Sequence, residues 1–417
     1  MTNGRAAAVA IDAGDLTLGG GLLALLRPAL DLLEVGGVLA VLSSSAATRE
    51  DLPSWCRLER HEYLGCERES DGRERHLVAR GPLGIPRGER EHDLRLPQRG
   101  GRISASDVVA LVPMPERADG SSGFAPRGAR VEPGGPHYPF TLLERDRVAA
   151  PETAQLYDQA VAAQWDASRD IPWSKVGAHP APLESAVCQI MTFLAENELS
   201  ALYVPSRFLA QVHPAFVEVA MFLATQLADE ARHIDVFLKR ARAAGGGAGI
   251  SSVTTSRSLR SLLDPTDFTE ATFLLSVLGE GTFLDLLRFV EEHAPDEATL
   301  EIARRTRADE SRHVHFGMAH VRAVLQHDPT AFGRLEAAVR TRAATLQASA
   351  GVPAPLQDAL TVLAAGGDDP RAIAKGHEAF RALLDTMHDA RIKRLVVAGF
   401  TTDQAAAISD LHTSNFM

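Results

Sequence analysis

From about Pro151 onward, apolar residues return every three to four positions, the spacing of long amphipathic helices. The pattern predicts helices over 152–168, 183–212, 215–243, 267–293, 297–326, 331–348 and 371–397, with shorter pieces near 355–365 and 402–412. Breaks fall at Pro172, at His213-Pro214, at Gly245-Gly246-Gly247, at Pro295 and at Pro329. Pro214, Pro295 and Pro329 stand where a helix would begin, which suits a fixed φ and a missing N–H. Pro205 falls inside the second of these helices and is expected to kink it or end it early.

The pattern before residue 151 is different. Ala7–Ile11 is a short apolar run, Leu22–Leu33 has helical spacing, and Val38–Leu42 reads as a buried strand after Gly36-Gly37. Thr48–Arg57 reads as a second helix, with Asp51 and Pro53 near its start, and His76–Ala79 as a closing strand. From Gly81 to about Gly135 the chain is dense in Gly, Pro, Arg and Ser, with one apolar interruption at Val108–Val112. That composition reads as an extended linker or an irregular, partly strand-forming segment. The expected organisation is a small α/β domain over 1–81, a linker or irregular segment over 82–150, and a helical domain over 151–417. The fold class is mainly α.

Composition narrows the classes. A net charge of −11 over 417 residues argues against a nucleic-acid surface, which needs a basic stripe. The apolar run Phe273–Leu278 is soon interrupted by Glu280 and Asp285, and no stretch reaches the length of a membrane span. The three cysteines, Cys56, Cys66 and Cys188, lack CxxC spacing, so neither a disulfide framework nor a zinc-thiolate site is expected. With no signal peptide in evidence, the expected location is the cytoplasm.

The chemistry lies in an internal repeat. Asp229-Glu230-Ala231-Arg232-His233 and Asp309-Glu310-Ser311-Arg312-His313 both read Asp-Glu-x-Arg-His on a long helix. Glu and His at i and i+3 share one helical face, so both can reach one metal ion, and the carboxylate can bridge to a second. Each motif helix follows another helix with a carboxylate in apolar company. On the later one Glu280 lies among Phe273, Val277, Phe283, Leu284 and Leu287. On the earlier one Glu196 and Glu198 compete. Positions four, seven and eleven away from Glu198 hold Leu194, Leu202, Met191, Pro205, Val187 and Leu209, all apolar. The same offsets from Glu196 give mostly polar residues, including Thr192, Ser200, Gln189 and Arg207. Glu198 is therefore the inward acid. The candidate ligands are Glu198, Glu230, His233, Glu280, Glu310 and His313. Charges on long helices usually form solvated faces, but four unpaired carboxylates in apolar surroundings would be prohibitive without compensating cations.

This order, Glu, Glu-x-x-His, Glu, Glu-x-x-His on four helices, is that of di-iron and di-manganese carboxylate bundles. Residues 150–325 resemble the ferritin-like superfamily of non-haem di-iron proteins, which includes the ribonucleotide reductase small subunit, acyl-carrier desaturases, multicomponent monooxygenases and arylamine N-oxygenases. The resemblance implies a four-helix bundle holding two iron ions, with Mn/Fe as an option. It implies an O₂-activating oxidase or oxygenase that hydroxylates, desaturates or N-oxygenates a small organic substrate. Electrons would come from a separate ferredoxin or reductase, because no flavin or nicotinamide fingerprint is present. A homodimer is an option. The rivals are a ferroxidase or iron-handling protein and a metal-stabilised interaction protein without catalysis.

Asp229 and Asp309 are either partners of the ring N–H of a ligand His from the opposite motif or solvent-facing charges. Arg232 and Arg312 lie on a different face and pair across the bundle or with Asp. His315 is rotated away, and Cys188 reads as a buried small hydrophobe. In the ribonucleotide reductase small subunit a radical-storing Tyr lies four residues after the His of the first motif. Here that position is Phe237, and the equivalent place after the second motif is Gly317.

Residues 7–81 resemble small sulfur-carrier proteins of sulfur-relay systems, through Leu22–Ser45 and the helix ending in Trp55-Cys56. In that family a Cys-Pro pair starts the first helix. This chain has Gly19-Gly20-Gly21 there and no Cys, so a docking or dimerisation module is expected. Trp165 and Trp173, before the first ligand helix, either pack in the core or line an electron path. The tail from Leu411 is apolar enough to fold back onto the bundle.

Overall fold

Contacts divide the chain into two units, Met1–Arg95 and Leu96–Met417. The computed structural model describes residues 7–82, 101–129, 131, 134–346 and 352–412. The tail beyond His412 lies outside them.

In the first unit β1 (Val9–Gly14), α1 (Leu23–Asp31), β2 (Val38–Ser43), α2 (Ala46–Leu58), β3 (Glu62–Arg68) and β4 (Glu74–Ala79) build a four-stranded sheet of order β1-β2-β4-β3. β1 runs parallel to β2, and the other pairs are antiparallel. The continuous apolar run on β2 follows from its central place, with Val38–Val41 buried on both faces. Leu22, Leu26 and Leu30 of the first helical stretch and Leu52, Trp55 and Cys56 of α2 pack with Leu39, Val41 and Val78. Gly21, at φ 110°, occupies a backbone region that side chains disfavour, and there the chain turns into α1. β3 was not anticipated, because Glu62-Tyr63-Leu64-Gly65-Cys66-Glu67-Arg68 is too polar to read as a core strand.

The second unit is mainly α. It comprises α3 (Ala105–Val109), α4 (Thr153–Ala162), α5 (Ala181–Leu209), α6 (Val217–Ala243), α7 (Val253–Ser261), α8 (Phe268–Thr272), a π-helical segment (Phe273–Glu280), α9 (Gly281–Glu292), α10 (Glu297–His327), α11 (Ala331–Leu346), α12 (Ala354–Ala365), α13 (Pro370–Val397) and α14 (Thr402–His412). α5 packs along α6, and the π segment with α9 packs along α10, so the two motif helices each lie in a helix hairpin. Among the described residues, no helix is long and apolar enough to cross a membrane.

Four local features differ from the sequence pattern. α4 ends at Ala162 instead of near 168, where Gln164 and Trp165 turn away to bond Asp229 and Asp309; beyond it Asp166 accepts the Ser168 and Arg169 N–H groups at 2.7 and 3.1 Å and keeps the helix from resuming. α5 continues through Pro205 to Leu209. α7 is additional, capped by Ser252, whose hydroxyl accepts from the Thr255 N–H at 3.0 Å. The expected helix over 267–293 contains eight residues of π-helix at its centre. Within the stretch read as a linker, Arg127 forks onto both oxygens of Glu218 at the start of α6, at 2.6 and 2.9 Å. Asp158 of α4 accepts the N–H groups of Ala105 and Ser106 that open α3.

One buried group makes this fold sensitive to acid. His320 on α10 is 0% exposed. Its Nδ1–H donates to the Ala149 carbonyl at 3.1 Å, and its Nε2 accepts from the Thr269 hydroxyl at 3.0 Å. Burial pushes its pKa from 6.5 down to about 4. Between those values the unfolded chain holds a proton that the folded chain does not. Stability is therefore intact above pH 6.5 and is lost as pH falls toward 4, by roughly 3 kcal/mol. His320→Gln should flatten that part of the pH–stability curve in urea melts. An unchanged slope would rule His320 out as its source.

Candidate metal centre

All eight candidate site residues are 0–3% exposed and meet inside the bundle. Glu198 comes from α5; Asp229, Glu230 and His233 from α6; Glu280 from the end of the π segment; and Asp309, Glu310 and His313 from α10. Two groups of potential ligand atoms form. One joins Glu198, Glu230, His233 and Glu310, and the other joins Glu230, Glu280, Glu310 and His313. Glu230 and Glu310 belong to both, so they would be shared between two ions, and Glu198 and Glu280 would each serve one.

The distances fit ligands that share an ion. His233 Nδ1 stands 3.1 Å from Glu310 Oε1, 3.3 Å from Glu230 Oε2 and 3.6 Å from Glu198 Oε2. His313 Nδ1 stands 3.1 Å from Glu230 Oε1 and 3.5 Å from Glu310 Oε2. Two ligands about 2.1 Å from one dication lie roughly 3 Å apart. Six buried atoms of the set have no hydrogen-bond partner: Glu198 Oε1, Glu230 Oε1, Glu280 Oε2, both oxygens of Glu310, and His313 Nδ1. Buried polar atoms are nearly always paired, so this convergence of orphaned donors fits a pair of cations. Burial raises the Glu198 and Glu280 carboxyls well above the usual carboxylate range, and the neighbouring Glu310 charge adds to the effect. Burial opposes charge on the two imidazoles as well, yet surrounding carboxylates hold both well above the usual His range.

A ring of polar contacts orients the histidines. His233 Nε2 lies 3.1 Å from Asp309 Oδ2, and His313 Nε2 lies 3.3 Å from Asp229 Oδ2, each His meeting the Asp of the opposite motif. With the proton on Nε2, the Nδ1 lone pair faces the carboxylate cluster. Arg232 bonds to both Asp229 and Asp309, and so does Arg312. Two arginines cancel two aspartates, leaving four glutamates whose charge matches two dications. His315 is exposed. Cys188 is buried, and its thiol donates to the Ala241 carbonyl at 3.2 Å.

The central region of residues 181–327 is a bundle of four long helical stretches, α5, α6, the π segment with α9, and α10. No family model and no curated protein matches the chain. Solved structures similar to it are R2-like ligand-binding oxidases. One with a Mn/Fe cofactor shares 17% identity over 58% of this chain and 93% of that chain, with a TM-score of 0.46. One with an Fe/Fe cofactor shares 17% identity over 61% and 93%, also at 0.46. A third, after photoconversion, shares 15% over 63% and 90%, at 0.41.

Several contributors were not legible beforehand. Trp165 donates Nε1–H to Asp309 at 2.7 Å, and Gln164 donates to Asp229 at 3.1 Å, so the turn after α4 fastens onto both aspartates. Gln226 is buried and donates to Glu280 Oε1 at 3.1 Å. It lies one turn before Glu230, so the neighbour test that selected Glu198 would have found it. The π segment places Ser276 against Glu280, and Ser276 also lines a narrow void. That void, about 10 Å³, is lined by Phe208, Leu223, Gln226, Leu275, Ser276 and Phe316. Such π-helical insertions recur at functional sites.

Glu196 tests the register of α5. It is half-buried and points to Ser251, away from the cluster. Glu198→Ala should cost at least one metal per chain, whereas Glu196→Ala should leave the metal content intact. Two residues turn a helix by roughly 200°, so the reverse outcome in elemental analysis would put α5 in the wrong register.

Proposed function

We propose that this centre holds two iron ions, with Mn/Fe as the alternative pair, and that the chain is an O₂-activating oxidase or oxygenase of a small organic substrate. The observation that carries this is the pair of ligand groups sharing Glu230 and Glu310, each with one imidazole, in a water-poor core. Hard carboxylates and borderline imidazoles suit redox-active first-row metals, and such a pair, when bound, supplies the electrons and Lewis acidity for O₂ chemistry.

The chain's own residues hold that chemistry in place. Asp229 and Asp309 keep the Nε2 protons on His313 and His233, fixing both rings toward the cluster. Gln226 and Ser276 hold Glu280 and also line the void. Phe222, Phe237 and Phe316 are 0–1% exposed and keep water out. The void has room for roughly one small molecule of water's size, which matches O₂. A larger substrate enters by displacing its apolar lining, so an apolar or aromatic compound is the substrate class. Trp165, Asp309 and His233 form a hydrogen-bonded chain from the turn after α4 to the cluster, a route for electrons from a docked ferredoxin or reductase.

The test is O₂ uptake by reduced, iron-loaded protein, followed with and without apolar candidate substrates. Uptake coupled to an oxidised product supports the proposal. Uptake that ends in a mineral core identifies an iron-handling protein instead. Stable metal content with no O₂ reaction leaves a metal-stabilised interaction protein.

A further inference from the structure

We propose that Cys66, Glu74 and His76 form a separate mononuclear metal site in the N-terminal unit, suited to Zn²⁺ or a similar borderline dication. Strand register brings them together. Cys66 on β3 is paired directly with His76 on β4, so their side chains leave the same face of the sheet. Glu74 precedes His76 by two residues on the same strand and therefore shares that face. One ligand atom from each lies within 4.8 Å of the others.

His76 supplies the independent sign of a ligand. It is 0% exposed, and its Nε2 has no hydrogen-bond partner. That nitrogen stands 3.6 Å from Glu74 Oε2, close to the roughly 3.4 Å between two ligands of a tetrahedral zinc ion. The other ring nitrogen, Nδ1, lies 2.9 Å from the Tyr63 hydroxyl. If Nδ1 carries the proton and donates to Tyr63, the Nε2 lone pair faces Cys66 and Glu74. In the opposite tautomer the buried N–H would have Glu74 Oε2 as its nearest carboxylate acceptor, at 3.6 Å, beyond hydrogen-bond length, an arrangement native proteins avoid. Tyr63 thus orients the ring as hydrogen-bonded groups around a metal-binding His do.

The other two ligands are equally placed. Arg49 on α2 bonds to both oxygens of Glu74, with Nε 3.0 Å from Oε2, and fixes the carboxylate while leaving each oxygen a lone pair. Cys66 is exposed, so an ion arrives from solvent and the Cys66 thiol gives up its proton on binding. Three protein ligands leave the fourth position open to water or an incoming ligand, the form of an open site instead of a closed structural one. The site is independent of the bundle and of the function proposed for it.

The experiment is a Co²⁺ titration of the full-length, iron-loaded protein kept anaerobic and reduced. The expected result is a thiolate-to-cobalt charge-transfer band, with intense visible bands of a four-coordinate ion, saturating at about one Co²⁺ per chain and displaced by Zn²⁺. Cys66→Ser, at an exposed position that folding tolerates, should abolish the charge-transfer band. Tyr63→Phe should weaken binding about tenfold. Cys188→Ser, which removes the thiol of α5, should leave the band unchanged. No thiolate band in the natural protein, or its survival in Cys66→Ser, overturns the site. Retention of full affinity in His76→Gln, a variant whose fold is checked by circular dichroism, overturns the role of His76.

Discussion

Glu230→Ala is expected to bring the metal content from about two ions per chain to less than one. Glu230 belongs to both ligand groups, as does Glu310, whereas Glu280 belongs to one. Glu280→Ala and His313→Ala, each in one group only, should therefore leave one ion bound, while Glu230→Ala strips both. Stability separates this from simple misfolding. In metal-free protein Glu230 stands between the two imidazoles, 3.3 Å from His233 Nδ1 and 3.1 Å from His313 Nδ1, so removing it should lower the metal-free melting temperature as well. The rise in melting temperature on metal addition should vanish. Each occupied site adds about 2.7 kcal/mol at a hundredfold excess over its Kd, so roughly 5 kcal/mol of metal-linked stability is at stake. Elemental analysis beside melts with and without metal measures both. Two ions retained in Glu230→Ala would remove the assignment of the bridge.

The buried cluster could be read from the sequence because each of its members is an exception to a local rule. Glu198 stands among apolar residues at every helical offset that was weighed, and its burial follows from that alone. The Asp-His contacts across the two motifs were one of two readings, and the structure places Asp309 on His233 and Asp229 on His313. The parts that were not legible depend on distant chain. The π segment is a register change inside one apolar run, and periodicity cannot distinguish it from a helix when all eight of its residues are buried. Gly317 shows the cause. A methyl group there would come 2.7 Å from Ser276 Cβ, so α10 lies tight against the π segment, a packing constraint invisible in either segment alone. The early end of α4 depends on Gln164 and Trp165 being drawn to aspartates some 65 and 144 residues away. The polar strand β3 depends on pairing with β4.

Oxidation of the reduced, metal-loaded protein by O₂ is expected to leave no persistent tyrosyl radical. A stored radical needs a phenol beside the metals. Phe237 stands one turn beyond His233, fully buried, with ring centroids 6.5 Å apart, and has no hydroxyl to lose a proton. The corresponding place on α10 is Gly317, where even a methyl group meets Ser276, so no phenol fits. Of the four tyrosines, Tyr63 lies in the other unit, and burial pushes its hydroxyl up to about 12. Tyr138 packs against Phe124 and Phe140, and Tyr157 lies on α4. Tyr203 shares α5 with Glu198 but is 63% exposed, and five residues place it about 140° around the helix from Glu198. The oxidising equivalents therefore pass to substrate or are lost. Phe237→Tyr supplies the missing phenol in the right place, at a cost of about 1–3 kcal/mol for a buried hydroxyl without a partner, and should produce a tyrosyl signal that the natural protein lacks. Electron paramagnetic resonance after O₂ exposure decides between the outcomes. A signal near one spin per site in the natural protein would make the chain a radical-storing subunit and withdraw the oxygenase reading.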